Sequence, residues 1–200
     1  MTNPADRIID LYQRHTQAWD EARSRNLFEG GWLDRFAALL PPGGSVLDIG
    51  CGSGEPIAHH LIENVYAVTG VDAAPAMIGL CRSRFPSGTW LVADMRKLAL
   101  GHRFDGLLAW DSFFHLRPED QRAMFPIFAA HAAPKAALMV TSGPSFGEAI
   151  GTFEGEPLYH GSLDPAEYRA LLKAEGFEVV AHVAEDASCG GHTIWLAQRR

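Results

Sequence analysis

The stretch VLDIGCGSGEP, residues 46–56, joins an apolar run to three glycines at positions 50, 52 and 54. The apolar run predicts a buried strand, and a helical pattern follows the glycines. Glycines at such a turn allow positive φ and let the backbone approach a ligand, while the start of a helix directs free N–H groups at the same place. The stretch therefore predicts a nucleotide-type cradle at the carboxyl edge of a sheet.

The composition is typical of one globular domain. The chain has 200 residues, of which 47% are hydrophobic and 20% charged, so we expect a single domain over residues 1–200. No run approaches the roughly 18 apolar residues of a membrane span. The first ten residues, MTNPADRIID, lack the apolar segment of a signal peptide. We expect a cytoplasmic protein with no membrane partner, either a monomer or a homodimer.

The net charge indicates which kind of partner the protein binds, and the cysteine content indicates whether disulfides or a zinc site are present. A formal net charge of -7 provides no broad cationic field, which disfavours a nucleic-acid partner and favours a small-molecule substrate. Cys51, Cys81 and Cys189 are odd in number and widely spaced, so they fit neither a disulfide framework nor a zinc cluster. We expect three free thiols.

Apolar strands alternate with helical segments from Ser45 onward, which predicts a parallel sheet covered on both faces. A helix over 5–22 and a second one ending before Pro41 precede the sheet and form a predicted helical cap, residues 1–42. The further predicted elements are strands 45–49, 65–71, 89–93, 104–110 and 136–141, and helices 56–63, 75–85 and 118–131.

The end of the chain breaks the alternation. Asp164 and Pro165 begin a helix that closes near Gly176, and the strands FEVVAHVAE, 177–185, and HTIWLAQ, 192–198, follow it. The connection DASCGG is too short for a crossover helix, so these two strands are predicted to be antiparallel. The chain is therefore predicted to form a doubly wound sheet that ends in a reversed hairpin.

A glycine-rich segment of 22 residues, 142–163, separates the strand 136–141 from the helix at Asp164. It shows no obvious helix or strand pattern. Loops of this length in compact domains are usually lids or binding loops when they are ordered. We expect the segment to be a lid or substrate loop.

The residues Asp48-Ile49-Gly50-Cys51-Gly52-Ser53-Gly54 resemble the first motif of class I S-adenosylmethionine-dependent methyltransferases. Further landmarks follow in order: Asp72 after the second strand, Asp94 after the third, the segment FDGLLAWDSFFHL as the fourth strand, and the terminal antiparallel hairpin. The resemblance covers about Ser45 to Arg200. It implies a Rossmann-like, seven-stranded mixed sheet in which one terminal strand is antiparallel.

The resemblance also implies roles for individual residues. Asp72 would accept hydrogen bonds from both ribose hydroxyls, and Asp94 from the adenine amino group. Asp48 would be oriented toward the methionine amino group, and a leading helix would cover the cofactor. The remaining implied cofactor contacts are Gly50, Cys51, Gly52 and Gly54 in the loop, Ala73, Met77 and Met95 beside the adenine, Trp110 near the methionine, and Tyr12 and Trp19 on the covering helix.

Structural roles compete with several of these assignments. Asp72 and Asp94 could cap helices or turns, although two acids at consecutive strand ends beside a glycine loop favour the cofactor role. Met77 on a helical stripe is more often part of a core. The stripe of Tyr12, His15 and Trp19 is likewise typical of a core-facing helix surface.

Residues for the methyl acceptor must lie at the carboxyl edge of the sheet. The candidates for acceptor contact or catalysis are Tyr159 and His160 in the long loop, and Asp111 and His115 after the fourth strand. A packing role for His115 is an equal alternative. His192 in the terminal turn reaches the same edge. A metal site made by Asp111 and the three histidines is a weaker alternative, because no compact ligand motif is present.

The sequence thus predicts S-adenosylmethionine-dependent methyl transfer to a small molecule. Two other functions stay open. A nicotinamide-dependent oxidoreductase would share the strand, glycines and helix, although Glu55 stands where its fingerprint requires a third glycine. A non-catalytic S-adenosylmethionine-binding protein would keep the acids but need no acceptor pocket.

Overall fold

The structure is a computed structural model that describes residues 3–200. It contains seven α-helices and nine strands in the described part. The helices are α1 (Ile8–Arg14), α2 (Thr16–Ala22), α3 (Gly30–Ala37), α4 (Ile57–Glu63), α5 (Pro75–Arg84), α6 (Pro118–His131) and α7 (Pro165–Ala174). The strands are β1 (Ser45–Ile49), β2 (Ala67–Asp72), β3 (Thr89–Val92), β4 (Phe104–Ala109), β5 (Ala132–Ser142), β6 (Gly147–Phe153), β7 (Glu156–Ser162), β8 (Phe177–Asp186) and β9 (His192–Arg199).

Seven strands form one mixed sheet in the order β3-β2-β1-β4-β5-β9-β8. The pairs among β1 to β5 are parallel, and β9 is antiparallel to both β5 and β8. This order confirms the predicted doubly wound, Rossmann-like sheet with its reversed terminal strand. Because β8 runs in the same direction as β1 to β5, the turn between β8 and β9 lies at the carboxyl edge, the same edge as the glycine loop.

Both faces of the sheet are buried, as the apolar strands predict. Successive residues of β4 show this, since Leu107 belongs to the apolar cluster on one face and Leu108 to the cluster on the other, and both are 0% exposed. Phe128 of α6 packs on the first face and Phe36 of α3 on the second. The carboxyl edge of the sheet is thereby held between two rigid layers.

The N-terminal segment differs from the single helix predicted over 5–22. A 3-10 turn at Pro4–Arg7 leads into α1, and the helix breaks at His15 before α2 begins. The Thr16 hydroxyl donates to the carbonyl of Tyr12 at the break. Met1 and Thr2 of the predicted cap lie outside the described residues. The second predicted helix is α3, which ends at Ala37.

The segment 142–163 is a two-stranded antiparallel hairpin, β6 and β7, and this corrects the prediction of a segment without regular structure. The hairpin packs on the N-terminal segment. The Glu156 carboxylate accepts hydrogen bonds from Arg14 at 2.7 Å and from His15 Nε2 at 2.8 Å, and the Phe153 ring stacks on Tyr12. The two segments therefore support each other above the sheet edge.

No helix within residues 3–200 has the length and apolar character that crossing a membrane requires.

Candidate active site

The three glycines after β1 adopt positive φ values of 78°, 54° and 82°. The packing of the protein requires them as well. A methyl group at Gly50 would lie 2.3 Å from Cβ of Ser112, and one at Gly52 would lie 2.8 Å from the Trp19 ring. At Gly54 it would lie 2.9 Å from Phe85. The loop is therefore glycine-rich because the protein itself, and not only a ligand, approaches it closely.

Asp72 at the end of β2 holds the glycine loop. Its carboxylate accepts the backbone N–H of Gly52 at 3.0 Å and that of Ala74 at 2.8 Å. Burial raises the pKa of Asp72 against the effect of these N–H groups. Asp48 is 4% exposed, and burial together with the charge of Asp72 raises its pKa to about 7. Two carboxyl groups thus lie under the loop in a site that disfavours a second negative charge.

One cavity spans the carboxyl edge, with about 930 Å³ of empty space that includes its open mouth. The glycine loop and the ends of β2, β3 and β4 all border it. The N-terminal segment forms the opposite wall. The sequence-predicted residues that line the cavity are Tyr12, Trp19, Gly50, Gly52, Asp72, Ala73, Met77, Asp94, Met95, Asp111 and His115. The others, Asp48, Cys51, Gly54, Trp110, Tyr159 and His160, lie outside its lining.

The end of the cavity near β3 carries paired charges. Arg96 donates to both oxygens of Asp94 and forms an ion pair with Asp120 at 3.4 Å. Burial would raise the pKa of Asp94, but Arg96 outweighs it and lowers that pKa. Asp6 pairs with Arg117 at 2.6 Å. Both arginines that line the cavity, Arg96 and Arg117, are therefore paired with acids that also line it.

His115 is enclosed by two hydrogen bonds. Its Nδ1 lies 2.8 Å from the carbonyl of Tyr159 and its Nε2 lies 2.9 Å from the Tyr12 hydroxyl. Since a carbonyl only accepts, Nδ1 carries the hydrogen and Nε2 accepts from Tyr12. Burial lowers the pKa of His115 to about 4, so the ring is neutral at pH 7. This arrangement fits the packing role that the sequence analysis gave as an equal alternative to catalysis, while His115 also lines the cavity.

Tyr159 and His160 point away from the main cavity, on opposite faces of β7. Tyr159 is 1% exposed, and its hydroxyl donates to Glu148 at 2.7 Å. Burial raises the pKa of Tyr159. His160 packs on Phe114 and lines a second, shallower depression formed by the hairpin. β7 directs these two successive side chains to opposite sides. Neither of them lines the main cavity.

Asp111 follows β4 with a φ of 49°, a left-handed conformation that is uncommon for aspartate. Its N–H donates to the Thr141 hydroxyl at 2.8 Å, and its carboxylate forms an ion pair with Nε2 of His192. The His192 ring stacks on Trp110 at 5.4 Å between centroids. The sequence predicted that His192 reaches this edge and grouped it with Asp111 only as a possible metal ligand; the direct ion pair between them was not predicted.

The buried thiols lie behind the glycine loop and under the β8–β9 turn. Cys51, Cys81 and Cys189 are all free and buried, as predicted. Cys81 donates to the Gly52 carbonyl at 3.2 Å. Within residues 3–200 no group of three or more histidine, cysteine or acidic side chains is arranged to hold a metal ion.

Comparison with known proteins gives the class of the matched segment. Residues 46–135 match the methyltransferase domain family. The chain is 32% identical over 111 residues to a dTDP-3-amino-3,6-dideoxy-alpha-D-glucopyranose N,N-dimethyltransferase of Streptomyces fradiae, covering 52% of this chain and 43% of the relative. It is 30% identical over 115 residues to the putative methyltransferase YqeM of Bacillus subtilis, covering 55% and 46%.

Solved structures share the whole fold. CalS10, an amino pentose methyltransferase from Micromonospora echinaspora solved with S-adenosylmethionine, superposes with a TM-score of 0.72 at 22% identity, covering 95% of this chain and 97% of its own. Magnesium protoporphyrin IX methyltransferase from Synechocystis gives 0.71 at 18% identity, covering 100% and 99%.

The family match covers residues 46–135, and the sheet around them has the fold of these solved methyltransferases, as the resemblance implied. The match spans less than half the length of the curated relatives.

Proposed function

We propose that this protein transfers a methyl group from S-adenosylmethionine to a small molecule. One observation carries the proposal: the glycine loop and the residues after β2, β3 and β4 border a single cavity. These are four of the landmarks that the resemblance named. A cofactor that extends along the carboxyl edge would contact all of them at once, and the opposite wall would be the N-terminal segment.

The comparisons support S-adenosylmethionine as the cofactor. CalS10 and the magnesium protoporphyrin IX methyltransferase were both crystallised with it, and a glycopeptide N-methyltransferase of the same fold was crystallised with S-adenosylhomocysteine. Small-molecule acceptors are named for several relatives, including amino sugars. We infer a small-molecule acceptor for this chain from the same comparisons.

The residues present fit the cofactor. Each oxygen of the Asp72 carboxylate accepts one backbone N–H and retains capacity for a further donor. Asp72 would thus accept the two ribose hydroxyls without releasing the glycine loop. Ala73 and Met77 would flank the adenine, and Asp94 and the N–H of Met95 would meet its polar edge. Gly50 and Gly52 would lie beneath the methionine part, with Tyr12 and Trp19 covering it.

When bound, S-adenosylmethionine supplies a methyl group on a sulfonium, and its transfer to a nucleophile is an in-line displacement. The work of this chain is to hold the acceptor in line with that methyl and to keep water away. Asp111 and His115 line the cavity beyond the glycine loop, where an acceptor would enter. The sequence predicted Tyr159 and His160 as acceptor contacts, but neither side chain lines this cavity, so we propose only that the hairpin carrying them is the lid over the acceptor.

Calorimetric titration with S-adenosylhomocysteine tests the proposal, with NADH as the comparison ligand. Binding of S-adenosylhomocysteine alone supports it. Binding of NADH alone would favour the oxidoreductase and reject the cofactor assigned here. The Asp72→Ala variant is expected to lose at least about tenfold in affinity, since hydrogen bonds to a charged group contribute about 1.5–3 kcal/mol each. An unchanged affinity would contradict the role of Asp72.

Three expectations from the sequence stay predictions for this chain: a cytoplasmic location, a monomer or homodimer, and no nucleic-acid partner. A non-catalytic binding protein would bind S-adenosylhomocysteine but release none from S-adenosylmethionine with any acceptor.

A further inference from the structure

Asp111 and His192 form an ion pair beside the cavity. Nε2 of His192 lies 3.0 Å from Oδ1 of Asp111 and 3.1 Å from Oδ2, so one ring nitrogen reaches both carboxylate oxygens. Asp111 lines the cavity, while His192 stands behind it. The His192 side chain is 21% exposed and that of Asp111 is 32% exposed. The carboxylate thus lies between the cavity and the imidazole.

The hydrogen bond made by Nδ1 of His192 determines that Nε2 is the ring nitrogen that gains or loses a proton. Nδ1 lies 2.7 Å from the carbonyl of Cys189, which only accepts, so Nδ1 carries a hydrogen in every protonation state. A neutral His192 ring therefore has its lone pair on Nε2, directed at the Asp111 carboxylate. The hydrogen bond to Asp111 raises the pKa of His192 above its ordinary value, partly opposed by burial.

The charge balance of the cavity favours a cationic acceptor. Of the acids that line it, Asp6, Asp94 and Asp120 pair with the two lining arginines, and Asp72 is held by backbone N–H groups. Asp111 is the remaining lining carboxylate in the described residues, and its partner is a titratable imidazole outside the cavity wall. An ammonium group that enters the cavity would meet this carboxylate without displacing an arginine.

We propose that the methyl acceptor is an amine bound at Asp111, and that Asp111 and His192 take up the proton this amine must lose before methylation. The inference rests on the proposed function and extends it to the chemical class of the acceptor. It also assigns His192 as a positioning residue, since His192 acts through Asp111 and not on the acceptor itself.

The proton leaves the ammonium group in two steps. An N–H bond of the ammonium breaks, its electron pair stays on nitrogen as the nucleophilic lone pair, and the proton binds an oxygen of Asp111. This step uses the form of the pair in which Nε2 of His192 carries no hydrogen, which the pair adopts above the pKa of His192. The carboxyl proton then passes to Nε2, which leaves a neutral amine, an ionised Asp111 and a charged imidazolium. After transfer the methylated ammonium loses a proton to water, and His192 returns its proton to solvent.

Other titratable groups face this pair. Asp111 affects the pKa values of Tyr12, His115, His160 and Cys189, and the charge of Glu29 acts on both His192 and Cys189. Burial keeps the pKa of His115 near 4 and lowers that of His160, while burial raises those of Tyr12 and Cys189. Among these groups, His192 is the one whose ordinary pKa lies near neutrality and whose pKa is raised in the folded protein.

Matched acceptor pairs that differ only in an amino or hydroxyl group test the proposal. One pair is thymidine diphosphate 3-amino-3,6-dideoxyglucose and thymidine diphosphate 6-deoxyglucose; the other is 2-phenylethylamine and 2-phenylethanol. The assay measures S-adenosylhomocysteine released by the full chain. We expect turnover with an amine and at least 100-fold less with its alcohol. Equal turnover of both members, or turnover of alcohols alone, overturns the proposal.

Variants of His192 separate proton uptake from packing. The pH dependence of kcat/KM on the active amine should contain a step at the pKa of His192, which NMR of the ring measures independently. His192→Gln keeps a donor to Asp111 but binds no proton, so this step should disappear while S-adenosylhomocysteine affinity stays within twofold. His192→Ala should lose more in kcat than His192→Gln. A wild-type pH profile in His192→Gln overturns the proton-uptake role.

The control variant is His182→Gln on β8, whose ring stacks on Trp195 and bonds to the Ile194 carbonyl, away from the cavity. It should retain the wild-type profile. If S-adenosylhomocysteine binds but every amine gives no turnover, the amine assignment fails and the cofactor assignment stands. If S-adenosylhomocysteine does not bind, the proposed function itself fails.

Discussion

The Tyr12 hydroxyl donates to Nε2 of His115 across 2.9 Å, and the opposite ring nitrogen donates to the carbonyl of Tyr159. One neutral imidazole thereby joins three segments: α1, the turn after β4, and β7. Tyr12 also packs on Phe153 of the hairpin and meets the edge of Trp19. The wall of the cavity is therefore sensitive to the protonation of His115.

Acid should destabilise the protein through His115. Its pKa is about 4 in the folded chain, below the ordinary value of about 6.5, so the unfolded chain binds this proton first as the pH falls. The contribution of His115 is present above about pH 6.5 and is lost as the pH falls toward 4, with a limit of about 3 kcal/mol. Urea unfolding at pH 7, 5.5 and 4.5 measures it. His115→Gln should show a smaller fall over this range; an equal fall contradicts the assignment.

Gly50→Ala should destabilise the protein by more than its backbone conformation explains. A left-handed residue other than glycine costs about 1–2 kcal/mol, and the new methyl group would also meet Cβ of Ser112 at 2.3 Å. The matched control is Gly101→Ala, which has a similar φ of 75° and no atom within 4 Å of the added methyl. Thermal unfolding compares the two variants.

Removal of the steric clash provides the second readout for Gly50. The double variant Gly50→Ala with Ser112→Gly should be more stable than Gly50→Ala alone, even though it loses the hydrogen bond from Ser112 to the Ile49 carbonyl. Equal stability of Gly50→Ala and Gly101→Ala would show that Ser112 does not restrict the loop.

Asp20→Asn should weaken both the fold and cofactor binding. Asp20 of α2 is 8% exposed and pairs with Arg84 of α5 at 2.6 Å and with Arg25 at 3.0 Å, and these partners lower its pKa. Loss of its charge leaves Arg84 partly buried without a partner, which we expect to cost about 2 kcal/mol. Because α2 also carries Trp19 over Gly52, affinity for S-adenosylhomocysteine should fall.

Glu167→Gln is the matched control for Asp20→Asn. Glu167 pairs with Arg122 at 2.6 Å, but both side chains are well exposed, so the substitution should change the free energy of unfolding very little. If both variants lose the same free energy of unfolding, the Asp20–Arg84 pair stabilises the protein no more than an exposed ion pair does.

The Asp111–His192 pair should make stability depend on pH in the opposite sense to His115. The pKa of His192 is raised in the folded chain, so its contribution is complete below the ordinary value of about 6.5 and is lost as the pH rises through the folded value. Asp111→Asn should therefore lose about 1 kcal/mol at pH 6 and less at pH 9. Urea unfolding at both pH values measures the difference, and a larger loss at pH 9 contradicts it.

The sequence predicted the sheet because its strands are buried on both faces. The continuous apolar runs around Val46 and Leu107 are typical of strands that are buried on both faces. The connection before His192 is too short for a crossover helix, so the last two strands had to be antiparallel. The same topology predicted that Asp72, Asp94 and Asp111 meet at one edge, and all three line one cavity.

The hairpin was missed because its first strand, β6, gains little from burial. Glu148, Ala149 and Ile150 are exposed in succession, and β6 satisfies its backbone by pairing with β7 and shows no alternating apolar face. The break at His15 was missed because apolar spacing continues through it. The ion pair of Asp111 with His192 joins residues 81 positions apart, and no local pattern specifies such a partner.

The position of β9 between β5 and β8 has a consequence during synthesis. β9 can insert only after the ribosome has released the chain through residue 199. Until then the edge of β5 that pairs with β9 has no partner strand, although the preceding strands have already been synthesised. An open apolar edge invites pairing with other chains. Until β9 inserts, Asp111 also lacks His192, so this pair cannot form before the segment that follows β8 has been synthesised.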